Sequence, residues 1–328
     1  MNRYRIGLIH HFSGLNANMV DGLRGCLGGF GIGRILPHIT LVPPANLYRQ
    51  DVDAEIYRLR KIAAETPEYQ FEVGPAGTFY PVSPVLYLSV GGSGLSEMAS
   101  LQARLVSSDL YKSNTRPYVP HVTLINPADS AEIDAAQRIM KSVLFREKVN
   151  SFEMMLSPVH GYWELSSDFR FEPSRMVHQA GMSMEVFTHF SGDLAIYKMV
   201  AENGVSSSAF WPCDDVRLRC DGQEHIVVSI YSHGKLIACG SANHRSTVGL
   251  IRSVVVEKEF RRLGIGSLVV RELLYQLELS NVEAAYVVGP EILNRFFEGC
   301  GSNRANTYRW LIDYENGMTL NSWSFSRR

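Results

Sequence analysis

The chain has 328 residues, of which 45% are hydrophobic and 20% are charged, and its formal net charge is -1. This length favours two domains, because one domain usually takes ~100–200 residues, and the composition is that of a globular protein with buried cores. A charge so close to zero creates no global basic field, which argues against a long nucleic acid as the partner and leaves a small charged ligand open.

Five cysteines, an odd number without a C-x-x-C pair, are typical of reduced thiols and indicate a cytoplasmic protein rather than a disulfide framework. Their spacing matches no common zinc pattern, so we predict no metal site. The chain does not open on a basic and then apolar signal peptide. It also has no run of 18 apolar residues, and we therefore expect no membrane span.

The first half of the chain predicts an α/β unit that contains a weak internal repeat. Alternating β-branched segments predict strands, and apolar residues at helical spacing predict helices. In chain order the elements are a strand at 3–10, a helix at about 16–27, the strand "HITLV", a helix at about 51–65, strands in "QFEVG" and "SPVLYLSV", a helix at about 95–105, the strand "HVTLI", a helix at about 130–143 and closing strands in "SFEMMLSPV" and "YWELSSDFRFE". A similar order of strand, helix and histidine-containing strand thus runs twice.

The character of the sequence changes after Phe171, where Pro, Gly and Ser appear without a clear period. We therefore predict a first domain at 1–173, a linker at 174–183 and a second α/β domain at 184–328. In the second domain "HIVVSIYSHGKLIACGSANH" predicts a hairpin that turns at His233-Gly234. The segment "AAYVV" predicts a later strand, and "EILNRFFEGCGS" predicts a late helix.

One phrase occurs twice in the first half, as "PHITLVPP" from Pro37 and as "PHVTLINP" from Pro120. Side chains alternate between the two faces of a strand. His38 and Thr40 therefore share one face, as do His121 and Thr123, while the apolar residues between them face a core. Each strand is predicted to present an imidazole and a hydroxyl side by side.

Two such pairs suit the cleavage of a phosphoester without a metal. One histidine can take a proton from the attacking oxygen and the other can give one to the departing oxygen, because the imidazole pKa lies near neutrality. Threonine hydroxyls can donate hydrogen bonds to the non-bridging oxygens, where charge gathers in the transition state. A single H-x-T in a strand is more often structural, and the duplication in one flanking register favours function. The sequence does not say which histidine is the base.

These motifs resemble those of the 2H phosphoesterases, the superfamily that includes the RNA ligase/cyclic phosphodiesterase enzymes of the LigT type. The resemblance covers about residues 3–172 and includes "GTFYPVSPVLYLSV", which is similar to a strand pair in many bacterial members. It implies a bilobal, pseudo-symmetric fold with a cleft between the lobes. It also implies that His38 and His121 are acid and base, that Thr40 and Thr123 hold phosphate, and that substrates are 2′,3′-cyclic nucleotides, 1″,2″-cyclic phosphates or 2′-5′ linkages.

The segment "LIRSVVVEKEFRRLGIGSLVVRELLYQL" predicts a strand, a glycine-rich turn and a helix. Free N–H groups and the positive end of the dipole make such a helix start an anion site, and Gly264 and Gly266 allow a diphosphate to approach the backbone. A glycine pair before a helix is often only a structural turn. The wider pattern is similar to motif A of the GCN5-related N-acetyltransferases (GNAT), and it comprises Val256, Phe260, Arg261, Gly264 and Gly266.

This second resemblance implies a mixed-sheet GNAT domain with acetyl-coenzyme A as cosubstrate. The strand around Val254 and Val256 is expected to pair with the pantetheine arm. The backbone expected to hold the pyrophosphate is that of Arg261, Arg262, Leu263, Gly264, Ile265, Gly266 and Ser267. The chain departs from the family pattern at Phe297, where members often have a tyrosine. A phenyl ring cannot protonate the departing thiolate, so the general acid of this half is not identified.

We therefore expect a bifunctional cytoplasmic enzyme of the α/β (α+β) class. Its first domain is a metal-independent phosphodiesterase for a small cyclic or 2′-5′ nucleotide-like substrate, and its second transfers an acetyl group to an amine. Two alternatives stay open: the GNAT domain binds acetyl-coenzyme A only as a regulatory sensor, or the protein is an RNA-end binding module without turnover.

Two further groups of side chains could take part in the phosphoesterase site. The pair His10-His11 stands at the end of the first strand and could line the cleft, although one packed and one exposed histidine is the more usual arrangement. Tyr80 and Tyr87 could stack on a base, although tyrosines in strands usually just pack.

Overall fold

The computed structural model describes residues 3–28, 35–107, 111, 117–157, 163–189, 192–205, 224–304 and 318–325. The chain divides into two compact units. The first comprises Met1–Val52 and Leu59–Glu172, and the second comprises Asp53–Arg58 and Pro173–Arg328. None of the helices within the described ranges combines the length and the apolar character that crossing a membrane requires.

Within the described ranges, the strands of the first unit form two four-stranded antiparallel sheets. Its elements are β1 (Arg3–His11), α1 (Gly14–Cys26), β2 (His38–Tyr48), α2 (Val52–Ala64, of which Asp53–Arg58 fall in the second unit), β3 (Tyr69–Thr78), β4 (Leu86–Gly91), α3 (Leu95–Leu105), β5 (His121–Ile125), α4 (Ser130–Ile139), β6 (Phe145–Val149), β7 (Ser151–Leu156) and β8 (Glu164–Arg170). The strand order is β2-β1-β7-β8 in one sheet and β5-β4-β3-β6 in the other. Each sheet thus has a strand that begins with His-x-Thr at its edge.

The two edge strands have the predicted alternation of faces. Ile39 and Leu41 are buried in β2, whereas His38 and Thr40 are only partly buried. Strand β5 repeats the pattern, with its histidine and threonine partly buried and the residues between and after them buried. The apolar side chains of each motif therefore anchor the strand in a core, and the polar side chains remain accessible on the opposite face.

The helices of the first unit follow the sequence patterns closely, but one prediction fails at a boundary. Helix α4 begins with a capping box, in which the side chains of Asp129 and Glu132 each accept the backbone N–H of the other. It ends at Ile139, whereas the helix was predicted to continue to about residue 143. The chain turns there because the next segment, Phe145–Val149, alternates buried and exposed residues and pairs with β3.

In the part of the second unit that the structure describes, the strands form one eight-stranded sheet. Its elements are β9 (Arg175–Gln179), β10 (Met182–His189), α5 (Leu194–Glu202), β11 (Glu224–Ser232), β12 (Lys235–Arg245), β13 (Val248–Val256), α6 (Ile265–Leu279), β14 (Ala284–Pro290), α7 (Asn294–Gly299), β15 (Asn303–Arg304) and β16 (Met318–Ser324). The strand order is β15-β16-β14-β13-β12-β11-β10-β9. Strands β13 and β14 pair in parallel, and the other neighbours pair antiparallel.

Residues 174–183, which were predicted to be a linker, instead form β9 and the first residues of β10. The two strands pair from Arg175 to Gln179, and the hairpin turns at Ala180 and Gly181, which have φ values of 51° and 76°. Strand β9 lies at the edge of the sheet and its residues are exposed or partly buried. It therefore lacks the apolar alternation that would have indicated a strand in the sequence.

Helix α6 covers the centre of this sheet. Leu268, Val269, Leu273 and Leu277 recur at helical spacing and are buried, as predicted. They belong to one core with apolar residues of β11, β12 and β13. This packing fixes the start of α6 against the sheet, at the carboxyl end of β13.

Candidate active sites

The two motif histidines have the same hydrogen-bond environment. Nδ1 of His38 lies 2.7 Å from the carbonyl oxygen of Leu36, and Nδ1 of His121 lies 2.8 Å from that of Val119. A carbonyl oxygen only accepts, so Nδ1 carries the proton and donates in both rings. Nε2 of each neutral imidazole therefore keeps its lone pair and can exchange a proton with a substrate.

The two strands that carry the motifs lie close together, with Cα atoms of β2 and β5 within 8 Å of one another. Burial lowers the pKa of His38 to about 4, helped by the positive charge of Arg24 and by His121 and His11, and only partly opposed by the hydrogen bond to Leu36. His38 is therefore neutral at neutral pH, and its Nε2 can accept a proton.

A buried arginine, Arg24, connects the second motif to the segment before the first. Arg24 on α1 is 1% exposed and donates from Nε and Nη2 to the carbonyl oxygen of Thr123, at 3.2 and 3.1 Å. Its Nη1 donates to the carbonyl oxygen of Ile35 and to Oδ1 of Asp21, each at 3.2 Å. Arg24 therefore fixes the second motif relative to the segment that leads into the first.

Tyr118 makes the reciprocal contact. Its hydroxyl donates to the carbonyl oxygen of Thr40 at 3.2 Å. Each motif threonine is thus held at its backbone carbonyl by a side chain that precedes the other motif, and these contacts do not involve the threonine hydroxyls. Neither Arg24 nor Tyr118 was predicted from the sequence to belong to the site. Arg24 had left a signal, since it lies four residues after the buried Val20 and so on the buried face of the helix.

Aromatic rings restrict the second histidine. Phe79 packs edge-on against the His121 ring with centroids 4.9 Å apart, and the Tyr87 ring lies 5.3 Å from it. Tyr87 is also the ladder partner of Thr123. Tyr80 is 55% exposed. Of the two tyrosines considered from the sequence, Tyr87 therefore packs within the site and orients the imidazole of His121.

Of the pair His10-His11, the first lies in the core and the second lies beside a motif histidine. His10 is buried, with its ring edge-on to Phe12 and Phe71 at 5.5 and 5.7 Å. His11 is the ladder partner of His38. Within the described ranges, neither these residues nor any other group of three or more His, Cys, Asp or Glu side chains is arranged to hold a metal ion.

The second unit has an opening between two parallel strands. The pairing of β13 with β14 covers Val248–Ile251 and Ala284–Val287 and then ends, although β13 continues to Val256 and β14 to Pro290. Beyond that point β13 and β14 no longer pair with each other, although β13 remains paired with β12 and β14 with β16. Backbone groups around Val254 are therefore available to an extended ligand that enters between the strands.

The glycine-rich turn stands at the mouth of this opening. Gly264 is the N-cap of α6 with a φ of 78°, a left-handed conformation that favours glycine, and a Cβ there would lie 2.4 Å from Nε2 of Gln179. That Nε2 donates to the carbonyl oxygen of Leu263 at 2.8 Å and so holds the turn. The N–H groups of Ile265 to Ser267 open the helix without intrahelical acceptors and fit a pyrophosphate.

Within this segment, the side chain of Arg261 makes hydrogen bonds to other parts of the protein. The guanidinium of Arg261 donates from Nε to the carbonyl oxygen of Val256 and from Nη2 to Oδ1 of Asn203, both at 2.9 Å. Arg261 therefore ties the turn to the end of β13, and its side chain is occupied by protein contacts. Arg262 has a φ of 64°, which completes the reversal of the chain before the helix.

Phe297, at the usual tyrosine position of the acetyltransferase pattern, lies in the core. It is 5% exposed and packs against Phe296 and Trp323, with ring centroids 5.1 and 6.3 Å apart. A Cβ on Gly289 of β14 would lie 3.1 Å from its ring. The position next to the opening is thus filled by a hydrocarbon ring that cannot transfer a proton.

These features define a class of protein: an α/β phosphoesterase unit with paired His-x-Thr strands, followed by a GNAT-type mixed sheet with separated parallel strands. The family model described as 2′-5′ RNA ligase superfamily matches residues 16–160, and the model described as Acetyltransferase (GNAT) family matches residues 196–301. The chain belongs to the 2′-5′ RNA ligase, or 2H phosphoesterase, superfamily and carries a GNAT domain behind it.

Several known proteins are similar to parts of this chain. A Geobacillus sp. (strain WCH70) protein named "Putative phosphoesterase" is 34% identical over 137 residues, which are 41% of this chain and 78% of that protein. A Bacillus anthracis (strain CDC 684 / NRRL 3495) protein of the same name is 26% identical over the same shares. Among solved structures, the GNAT domain of S. lividans PAT has 11% identity and a TM-score of 0.35, over 46% of this chain and 97% of that one.

Proposed function

We propose that the first unit hydrolyses a small phosphodiester of the cyclic or 2′-5′ nucleotide type, with His38 as general base and His121 as general acid. The observation that carries this proposal is the matched environment of the two rings, each of which donates from Nδ1 to a carbonyl and keeps Nε2 for the substrate. The assignment of the base follows from the neutral state of His38 at neutral pH.

In this mechanism Nε2 of His38 accepts a proton from water as the water oxygen attacks phosphorus. His121, protonated on both nitrogens, donates its Nε2 proton to the departing oxygen. The hydroxyls of Thr40 and Thr123 donate hydrogen bonds to the non-bridging oxygens, which carry the developing charge.

Hydrolysis of 2′,3′-cyclic AMP by purified full-length protein tests this assignment. We expect His38→Ala and His121→Ala each to lower kcat by about 10²–10⁴-fold, the range for loss of one acid–base catalyst. His178→Gln is the matched control, because His178 is an exposed histidine of the second unit. Far-UV circular dichroism checks folding, and a variant that kept the full rate while folded would contradict the paired role. Tight binding of the nucleotide without hydrolysis by the wild type would favour the RNA-end binding alternative.

We propose that the second unit binds acetyl-coenzyme A and transfers its acetyl group to a small amine. When bound, the cosubstrate supplies an activated thioester. The separated strands at Val254 and Val256 suit its extended arm, and the N–H groups of Ile265 to Ser267 suit its pyrophosphate. The proton for the departing thiolate has to come from a group other than Phe297 or from water.

The buried Phe297 favours a second candidate for this unit, in which it binds acetyl-coenzyme A as a sensor that regulates the phosphodiesterase. Transfer of labelled acetyl groups to a panel of amines separates the two, because any turnover excludes a pure sensor. A sensor predicts instead that acetyl-coenzyme A changes the rate of cyclic nucleotide hydrolysis, with no labelled product from any amine.

A further inference from the structure

A third histidine lies beside the catalytic pair proposed above. Strand β1 pairs antiparallel with β2, and His11 is directly opposite His38. Side chains that oppose each other in an antiparallel ladder are on the same face, with Cβ atoms roughly 4.5–5.5 Å apart. His11 therefore stands next to His38 on the accessible face of the sheet, whereas His10 points into the core.

A buried carboxylate fixes His11 from the other side of β1. Oε2 of Glu153 on β7 accepts the backbone N–H of His11 at 3.0 Å and lies 3.1 Å from its Nδ1. Oε1 of Glu153 accepts the hydroxyl of Ser151 at 2.7 Å. Glu153 is only 4% exposed, and a buried carboxylate is stable as an anion only when cations and donors surround it.

The charges around this pair favour its ionised form. Burial by itself raises the pKa of Glu153, but the contact with His11, the charges of His11 and His10 and the hydrogen bond from Ser151 outweigh it, and the net pKa is lowered. Burial likewise lowers the pKa of His11, but the contact with Glu153 and the charges of Glu153, Glu147 and Asp168 outweigh it, and the net pKa is raised. On the remaining side His11 faces His38.

The exposed edge of His11 is the edge that a ligand would meet. Nδ1 is buried against Glu153, while the side chain as a whole is 27% exposed, so the accessible surface belongs to the rest of the ring. In the imidazolium form Nε2 carries a proton that can be donated. His11 thus differs from His38, whose Nε2 is an acceptor.

We propose that His11 is a third histidine of the phosphodiester site, a cationic donor fixed by Glu153 that gives a hydrogen bond from Nε2 to a phosphate oxygen. This inference rests on the proposed function of the first unit for its place in the reaction. It assigns His11 to binding and charge stabilisation, and leaves proton transfer to His38 and His121.

Proton NMR titration of the full-length protein with inorganic phosphate tests the binding role without any need for turnover. The signal absent from the His11→Gln spectrum identifies the residue among the ten histidines. We expect phosphate to move the wild-type His11 signal and His11→Gln to weaken phosphate binding about tenfold or more, the loss of one charge-assisted hydrogen bond. Unchanged phosphate affinity in folded His11→Gln would overturn the proposal.

Further variants separate a cationic role from a structural one. In Glu153→Gln the pKa of His11 should fall, so phosphate binding should be lost at lower pH than in the wild type. Glu147→Gln is the matched control, because Glu147 lies 3.4 Å from His10 and should shift the His11 pKa less. His11→Lys keeps a cation and should retain binding across neutral pH. An equal loss in His11→Lys and His11→Gln, with both folded, would mean that His11 only packs.

Turnover of 2′,3′-cyclic AMP distinguishes failure of this inference from failure of the proposed function. We expect His11→Gln to raise KM more than it lowers kcat, and His38→Ala to lower kcat. A wild type that binds phosphate at His11 but hydrolyses no cyclic nucleotide refutes the proposed reaction and leaves the His11 site standing. Hydrolysis with the same KM and kcat in the wild type and in His11→Gln refutes the His11 site alone.

Discussion

Replacing Arg24 by methionine should destabilise the first unit severely. The change removes the donors to the carbonyl oxygens of Thr123 and Ile35 and leaves both without their charged partner. A hydrogen bond to a charged group contributes ~1.5–3 kcal/mol, so the two acceptors together predict a loss of ~3–6 kcal/mol. Asp21 adds little, because its side chain is 38% exposed and can regain water. Such a loss is a large part of the ~5–15 kcal/mol that holds a domain folded.

Urea denaturation monitored by circular dichroism measures this loss. Arg146→Met is the matched control. The side chain of Arg146 is 71% exposed and forms an ion pair with Glu72, with Nε 3.3 Å from Oε1. An exposed pair of this kind contributes no more than ~1 kcal/mol to stability. Arg24→Lys keeps the charge and can reach one carbonyl, so it should fall between the two. If Arg24→Met cost no more than Arg146→Met, the argument that Arg24 connects the two motifs would be refuted.

The same variants predict a change in the pH dependence of hydrolysis. The pKa of His38 is lowered to about 4, mainly by burial and partly by the charge of Arg24. His38 accepts a proton only when it is neutral, so kcat/KM of the wild type should fall as the pH drops through about 4. Without the charge of Arg24 the pKa of His38 rises, and this fall should begin at higher pH in Arg24→Met. In Arg24→Lys it should stay near the wild-type position.

Two further changes test contacts that support the two sites, and a third tests the start of helix α4. Tyr118→Phe removes the hydroxyl that donates to the Thr40 carbonyl and should cost ~0.5–1.5 kcal/mol in urea denaturation; no measurable loss would mean that water replaces it. Gly264→Ala places a Cβ 2.4 Å from Nε2 of Gln179 at positive φ, so calorimetry should find acetyl-coenzyme A binding weakened at least tenfold. Asp129→Ala breaks the capping box of α4 and should cost ~0.5–2 kcal/mol, whereas Asp129→Asn should cost less.

Local patterns were enough to predict most of the individual elements. Apolar spacing in α3 and α6 and alternation in β2 and β5 depend on neighbours within one turn or one strand, and the structure confirms them. The hairpin at His233-Gly234 was likewise predicted from its turn residues and is confirmed. The prediction of a linker at 174–183 was wrong, because an edge strand with exposed residues has no apolar period to detect.

The two families and the chemistry of each motif could be inferred from the sequence, because the repeated His-x-Thr motif and the glycine turn each consist of consecutive residues. The residues that support those motifs became evident only in the folded chain. Arg24 meets Thr123 across 99 residues of chain, Tyr118 meets Thr40 across 78, and His11 meets Glu153 across 142. Contacts of such separation depend on strand register and on how helix α1 packs, and no local pattern encodes either.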